Sequence, residues 1–285
     1  MNHAVVSQDA PTQARQDVPA GDTAAPADTV SVNTPHLAAG ISVRDLTKVY
    51  EDQNGDVIAI ERMTLDVKPG EFLCILGPSG CGKSSLLNIL AGFETPTSGT
   101  ATLNGQGITG PSPRLGVVFQ DSAALFPWLN IRDNVGFGLR NARLSRAEQQ
   151  ARIASALELV GLQDFAEKWP QQLSGGMRQL ASIARVLVTD SRVLLMDEPF
   201  GALDAMTRQQ MQHKLIDIWR ATGLTILLIT HSVDEAIYLG QRVLVFSKRP
   251  ARIAAELPID LPYPRKVTEP VFNQIKSIAL SHLGF

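Results

Sequence analysis

A run of five apolar residues, Phe72–Leu76, is closed without any linker by Gly77-Pro-Ser-Gly-Cys-Gly-Lys-Ser-Ser85. The first eight of these residues match the spacing G-x-x-x-x-G-K-[ST], and the chain from Gly82 to about Ala91 reads as a helix. No other stretch restricts the fold as much. A short, continuous apolar run suits a strand buried on both faces, which belongs in a parallel sheet covered by helices. Gly77, Gly80 and Gly82 let the backbone curl until its N–H groups converge. The helix start adds partial positive charge, Lys83 adds a full one, and the Ser84 hydroxyl is available to a divalent cation. Gly77, Pro78, Ser79, Gly80, Cys81, Gly82, Lys83, Ser84 and Ser85 are therefore expected to cradle the phosphates of a nucleotide. A glycine-rich turn with a chance lysine would require neither the strand before it nor the helix after it. A second glycine pattern, Gly105-Gln-Gly107-Ile-Thr-Gly110, runs into Pro111 and Pro113 with no amphipathic helix behind it and reads as a turn.

The flanking sequence extends this pattern. Ile41–Val49, Val57–Val67 and Ser98–Leu103 look like antiparallel strands broken at Asn54-Gly55 and Asn104-Gly105. Residues 121–190 are mostly helical, with Ile131, Val135 and Leu139 on one stripe and Ile153, Ala156, Leu157 and Val160 on another. Buried-type strands return at Val193–Met196, Thr225–Ile229 and Arg242–Phe246, separated by helices over Asp204–Ala221 and Val233–Leu239. Near the C-terminus, Phe272, Ile275, Ile278 and Ala279 mark a short packing helix. Residues 1–40 differ, with nine alanines, four prolines and little periodicity, and read as a disordered tail. The 26 basic and 28 acidic residues give a net charge of −2, which offers no support for a nucleic-acid partner. No apolar run approaches the roughly 18 residues that span a bilayer, and the start lacks a signal-peptide pattern, so the expectation is a cytosolic chain. Two cysteines fit a reducing compartment.

Other strand ends carry chemistry. Val193-Leu-Leu-Met196 breaks into Asp197-Glu198-Pro199. Alone, these are as readily two solvated acids; beside a phosphate loop, Asp197 suits Mg2+ and Glu198 suits polarisation of an attacking water. His231 follows the strand Thr225–Ile229, where it either hydrogen-bonds the terminal phosphate or plays a structural part. Gln120 ends the apolar stretch Leu115–Phe119, within reach of Mg2+ or water. Residues 173–179, Leu-Ser-Gly-Gly-Met-Arg-Gln, place Ser174 at a helix start where Gly175 and Gly176 expose N–H groups, which is either a second anion site or an ordinary cap.

Taken in order, GPSGCGKSS, Gln120, LSGGMRQ, VLLMDEP, GALD at 201–204 and His231 resemble the ATP-binding-cassette ATPases over about residues 41–260. The resemblance implies an α/β P-loop NTPase of the ABC type with a parallel-sheet core, an antiparallel β subdomain and a helical subdomain. It implies a cassette over 41–262, a helical extension over 263–285, and ATP with Mg2+ as cofactors, the metal held by Ser84, Gln120 and Asp197. Lys83, Glu198 and His231 take catalytic positions, Tyr50 stacks on adenine, and Gln120 senses the nucleotide. Two copies pair head to tail, so that Ser174, Gly175 and Gly176 of one face the phosphate loop of the other, with Asp204 coupling the sites. Val117–Asn130, Asp133-Asn-Val, Arg249-Pro-Ala-Arg-Ile253 and Thr230–Ala236 are similar to ATPases of bacterial nitrate, sulfonate and taurine importers. That likeness implies integral membrane permease subunits, an extracytoplasmic binding protein acting indirectly, and a peripheral place on the cytoplasmic face of the cell membrane. Leu125, Phe126, Pro127 and Trp128 suit either a groove for a permease helix or plain core packing, and Leu180 stands where the family usually has a basic residue. A soluble repair ATPase would insert a coiled coil between motifs, a translation ATPase would carry two cassettes, and a small-molecule kinase has no use for LSGG. The positive surroundings of Cys81 suggest a reactive thiolate, with Cys74 inert in its strand.

Overall fold

The computed structural model describes residues 39–284 apart from 52, 54 and 120–124. In chain order, β1 (Ile41–Tyr50), β2 (Val57–Val67) and β3 (Phe72–Leu76) lead into α1 (Lys83–Ala91). Next come β4 (Ser98–Leu103), β5 (Gln106–Gly107), β6 (Leu115–Val118), α2 (Ile131–Gly136), α3 (Arg146–Val160) and α4 (Gly175–Leu187). The chain closes with β7 (Val193–Asp197), α5 (Ala205–Thr222), β8 (Thr225–Thr230), α6 (Val233–Leu239), β9 (Arg242–Phe246), β10 (Ile253–Pro258) and α7 (Pro270–Leu283).

Two sheets result. An antiparallel sheet runs β2-β1-β4-β5, and a six-stranded sheet runs β10-β9-β3-β8-β7-β6. In the larger sheet all pairings are parallel except that of β10 with β9. Strands β3, β7 and β8 are buried on both faces, which is why they read as unbroken apolar runs. The period of two still operates inside them. Phe72, Cys74 and Leu76 join one core with Leu194, Met196, Ile226, Leu228, Val243 and Val245, under the helices α2 to α7. Leu73 and Ile75 join the other with Leu195, Leu227, Ile229 and Leu244, against α1 and the antiparallel sheet.

Local signals fix the helices. Ser145 and Glu148 form a reciprocal capping box at the start of α3, and Gly161 ends that helix in the left-handed region. Asp204 caps α5 through the N–H groups of Met206 and Thr207. In α7, Phe272 and Ala279 point into the helix-side core while Ile278 faces out. The chain before α7 is held by buried Arg265, whose guanidinium donates to the carbonyls of Ile237, Tyr238, Gly240 and Ile259. The second glycine pattern opens on a turn, Asn104-Gly105 joining β4 to β5, while its Gln106 and Gly107 form β5 itself. Strand β10 was not anticipated. Its residues alternate between half-buried and exposed along a sheet edge, and Ala254, Ala255 and Pro258 give it little β-forming character. No helix among the described residues is long and apolar enough to cross a membrane.

Candidate active site

Sheet register brings the separate motifs together. Strand β3 lies between β9 and β8, and β7 lies on the far side of β8. Leu76 pairs with Thr230, and Asp197 pairs with Ile229. Gly77, Asp197-Glu198 and His231 therefore leave the sheet at the same edge, where ligands of parallel α/β folds bind.

The loop after β3 is tightly built. Gly82 has φ 115° and caps α1. A Cβ there would stand 2.5 Å from the Ala59 carbonyl oxygen of β2, so only glycine fits. Lys83 is buried, and its ammonium donates to the carbonyls of Gly77 at 2.8 Å and Pro78 at 2.9 Å. Next to it opens a cavity of about 220 Å³ lined by Tyr50, Val57, Ala59, Ser79, Gly80, Gly82, Lys83, Ser84, Ser85, Glu198 and Arg249.

The acidic strand end faces this loop. Burial pushes the Asp197 carboxyl above the usual aspartate range, a hydrogen bond with Ser84 opposes the shift, the Glu198 charge adds to it, and Lys83 opposes it. Ser84 and Asp197 are thus an adjacent all-oxygen pair in which added positive charge would be favourable. This suits Mg2+, which takes one or two carboxylates and completes its shell with water and phosphate. Glu198 sits at φ 43°, a left-handed conformation that turns the chain out of β7, while its N–H still bonds the Ile229 carbonyl at 2.9 Å. Its Oε2 lies 2.9 Å from His231 Nδ1. An ionised carboxylate only accepts, so Nδ1 carries the proton in this pair.

Tyr50 lines the cavity with its ring partly exposed. Its hydroxyl donates to Glu94 Oε2 at 2.6 Å and lies 3.0 Å from Ser85 Oγ, and Lys48 Nζ stands 4.8 Å from the ring centre. Ser174 caps α4, its Oγ accepting from the Met177 N–H at 3.3 Å. A Cβ on Gly175 would meet Leu203 at 3.1 Å, and one on Gly176 would meet Thr207 at 2.8 Å, so the start of α4 packs on the start of α5 behind Asp204. Ser174, Gly175, Gly176 and Asp204 are not among the residues lining the cavity. Gln120 lies outside the described residues.

Three sequence readings change or divide. Cys81 is buried, with a relative exposure of 1%, and burial raises its thiol pKa despite the lowering influence of Lys83 and Arg249, so the expected reactive thiolate is corrected to a protected thiol. Leu125 is core, whereas Trp128 is 68% exposed beside Phe126. Leu180 packs half-buried against the helix-side core. In the sequence, Arg249 and Asn134 figure only within the importer likeness, with no role of their own. Both act through contacts with main-chain oxygens, which leave no residue pattern to read.

Residues 60–201 match the ABC transporter family. The taurine import ATP-binding protein TauB of Roseobacter denitrificans is 50% identical over 218 residues, which is 76% of this chain and 81% of that protein. The chain belongs to the ABC transporter family. As a member of it, the protein binds and hydrolyses ATP. The nitrate import ATP-binding protein NrtD of Synechocystis sp. is 47% identical over 222 residues, 78% of this chain and 83% of NrtD. Among solved structures, a dimeric ATP-binding cassette in a post-hydrolysis state with ADP and Pi is 28% identical with a TM-score of 0.66, covering 78% of this chain and 100% of that one.

Proposed function

We propose that this ABC ATPase is the motor of a bacterial importer, energising uptake of a small anion such as nitrate, a sulfonate or taurine through a separate permease. The observation that carries the reading is the convergence of Lys83, Ser84, Asp197, Glu198 and His231 at the ends of three neighbouring strands. The import relatives at 47–50% identity support the solute class. In this reading the loop 77–85 grips the phosphates of ATP. Ser84 and Asp197, with Gln120, hold Mg2+, which when bound offsets phosphate charge. Glu198 accepts the proton of the attacking water, and His231 Nδ1–H fixes the orientation of the carboxylate that does so. Tyr50 contributes the adenine contact.

The site is completed by a second copy placed head to tail, which brings Ser174, Gly175 and Gly176 at the start of α4 to the terminal phosphate. Asp204, capping the neighbouring helix, couples the two sites. Permease subunits engage the 125–128 segment around exposed Trp128, an extracytoplasmic binding protein selects the solute, and the chain sits peripherally on the cytoplasmic face of the cell membrane. The test is uptake into vesicles carrying the chain, its permease and the extracytoplasmic binding protein, with taurine, an alkanesulfonate and nitrate as labelled solutes. ATP-dependent accumulation of one solute, lost with Lys83→Ala, is expected. Full accumulation with Lys83→Ala would refute the motor role, and accumulation of none of the three would refute the solute class.

A further inference from the structure

The turn between β9 and β10 carries Arg249-Pro-Ala-Arg-Ile253, and it lies against the phosphate loop. Arg249 Nε and Nη2 both donate to the Gly80 carbonyl, at 3.0 and 2.8 Å. The turn itself is anchored. The Ala251 N–H bonds the Ala59 carbonyl at 2.9 Å, the Glu61 N–H bonds the Ala251 carbonyl at 3.2 Å, and Arg252 pairs with Glu61 at 2.7 Å. Ala59 and Ala251 are also the two residues against which Gly82 is wedged. The arginine thus reaches the loop from a base shared with the loop's own far end.

Peptide geometry gives this contact its meaning. A trans peptide points its carbonyl and its N–H in opposite directions. With the Gly80 carbonyl held by Arg249, the Cys81 N–H points the opposite way and donates to the Pro78 carbonyl at 3.4 Å. Gly80, at φ 73°, puts up little steric resistance to rotation of that peptide. A rotated peptide would aim a carbonyl oxygen at the phosphates and withdraw a donor from them.

We propose that Arg249 is a positioning residue for the nucleotide diphosphate, its two-pronged contact with the Gly80 carbonyl holding the 80–81 peptide with its N–H facing the phosphates. This rests on the nucleotide site proposed above. The contribution is specific to the part of the ligand that the loop grips, so it grows from one phosphate to two and not with the base or sugar.

Displacement of a fluorescent ATP analogue from the full chain by ATP, ADP and AMP tests it, with Arg249→Gln, Arg249→Lys and Lys83→Ala compared with the wild type. A Cys81 N–H turned away withdraws one charge-assisted donor from the phosphates, which predicts about tenfold weaker ATP and ADP binding in Arg249→Gln, with AMP unchanged. Arg249→Lys keeps the charge but not the fork, and is expected to stay closer to Arg249→Gln than to the wild type. Arg249 is exposed, so melting of the nucleotide-free variants should match the wild type. Wild-type ATP affinity in Arg249→Gln, equal losses for AMP and ADP, or full recovery in Arg249→Lys would each overturn the proposal. Undiminished ATP binding by Lys83→Ala would instead overturn the site on which it rests.

Discussion

Asn134 is fully buried on α2, and its amide stitches together the turn that displays Trp128. Oδ1 accepts from the Phe126 N–H at 2.8 Å, while Nδ2 faces the carbonyls of Phe126 at 3.0 Å, Leu129 at 2.9 Å and Asn130 at 3.0 Å. Two amide protons serve three acceptors, so the side chain supplies the equivalent of three bonds. At about 1 kcal/mol net for each, plus desolvated groups left behind, Asn134→Ala should lose about 3 to 4 kcal/mol. That leaves a folded protein if the total lies in the usual range of about 5 to 15 kcal/mol. Asn134→Asp is the sharper probe. Its carboxylate would face three carbonyl oxygens and must take up a proton, so its pKa rises on folding. A raised carboxyl pKa stabilises below the unfolded value and loses that stability as pH rises through the folded value. The Asp variant should therefore be weaker than the Ala variant near neutral pH and recover as the pH falls toward the ordinary aspartate value of about 3.9. Urea unfolding followed by tryptophan fluorescence at several pH values measures this. Nucleotide affinity should stay at the wild-type level in Asn134→Ala, since nothing in the Phe126–Asn134 turn lines the cavity. A loss under about 1 kcal/mol in Asn134→Ala, or a pH-flat deficit in Asn134→Asp, would refute the account.

Glu198→Gln keeps an acceptor for His231 Nδ1 but cannot take a proton, so ATP binding should persist while hydrolysis falls by about 10²- to 10⁴-fold, read by single-turnover phosphate release. Ser174→Arg should abolish hydrolysis yet leave nucleotide binding by the monomer intact, because Ser174 lies away from the cavity of its own chain; equal loss of both would contradict a shared site. Asp197→Asn should raise the melting temperature of the nucleotide-free chain near neutral pH, with the gain vanishing below the ordinary aspartate value of 3.8, since burial disfavours the ionised carboxyl; melting curves across pH give the sign. Mg-ATP binding by this variant should be lost. Maleimide should label neither Cys74 nor Cys81 quickly in the folded chain, and rapid labelling of Cys81 by mass spectrometry would mean the loop opens more than its burial allows.

What the sequence disclosed was chiefly what is local. The strand, loop and helix around Gly77–Ser85 are contiguous, so their residue types could be read directly, and the parallel sheet followed from apolar runs at β7, β8 and β9. Asp197, Glu198 and His231 were legible as strand ends, but their mutual distance was not, because register joins Asp197 to Ile229 and Leu76 to Thr230 across long gaps. The Cys81 reading failed for a related reason. Its charged neighbours are visible in sequence, whereas the burial that outweighs them comes partly from Phe246, which crowds the same corner beside Gly77. The grip of Arg249 on Gly80 joins residues 169 positions apart through a carbonyl that every residue possesses. Asn134 bonds nearby residues, yet an asparagine in a helix gives no hint of four main-chain partners.

The two carbonyls that hold Lys83 have one more consequence. A buried lysine ammonium without acceptors would be an uncompensated cation, and burying such a charge is costly. Here the ammonium is parked on its own backbone. The acceptors are main-chain oxygens of Gly77 and Pro78, so side-chain mutation cannot delete them.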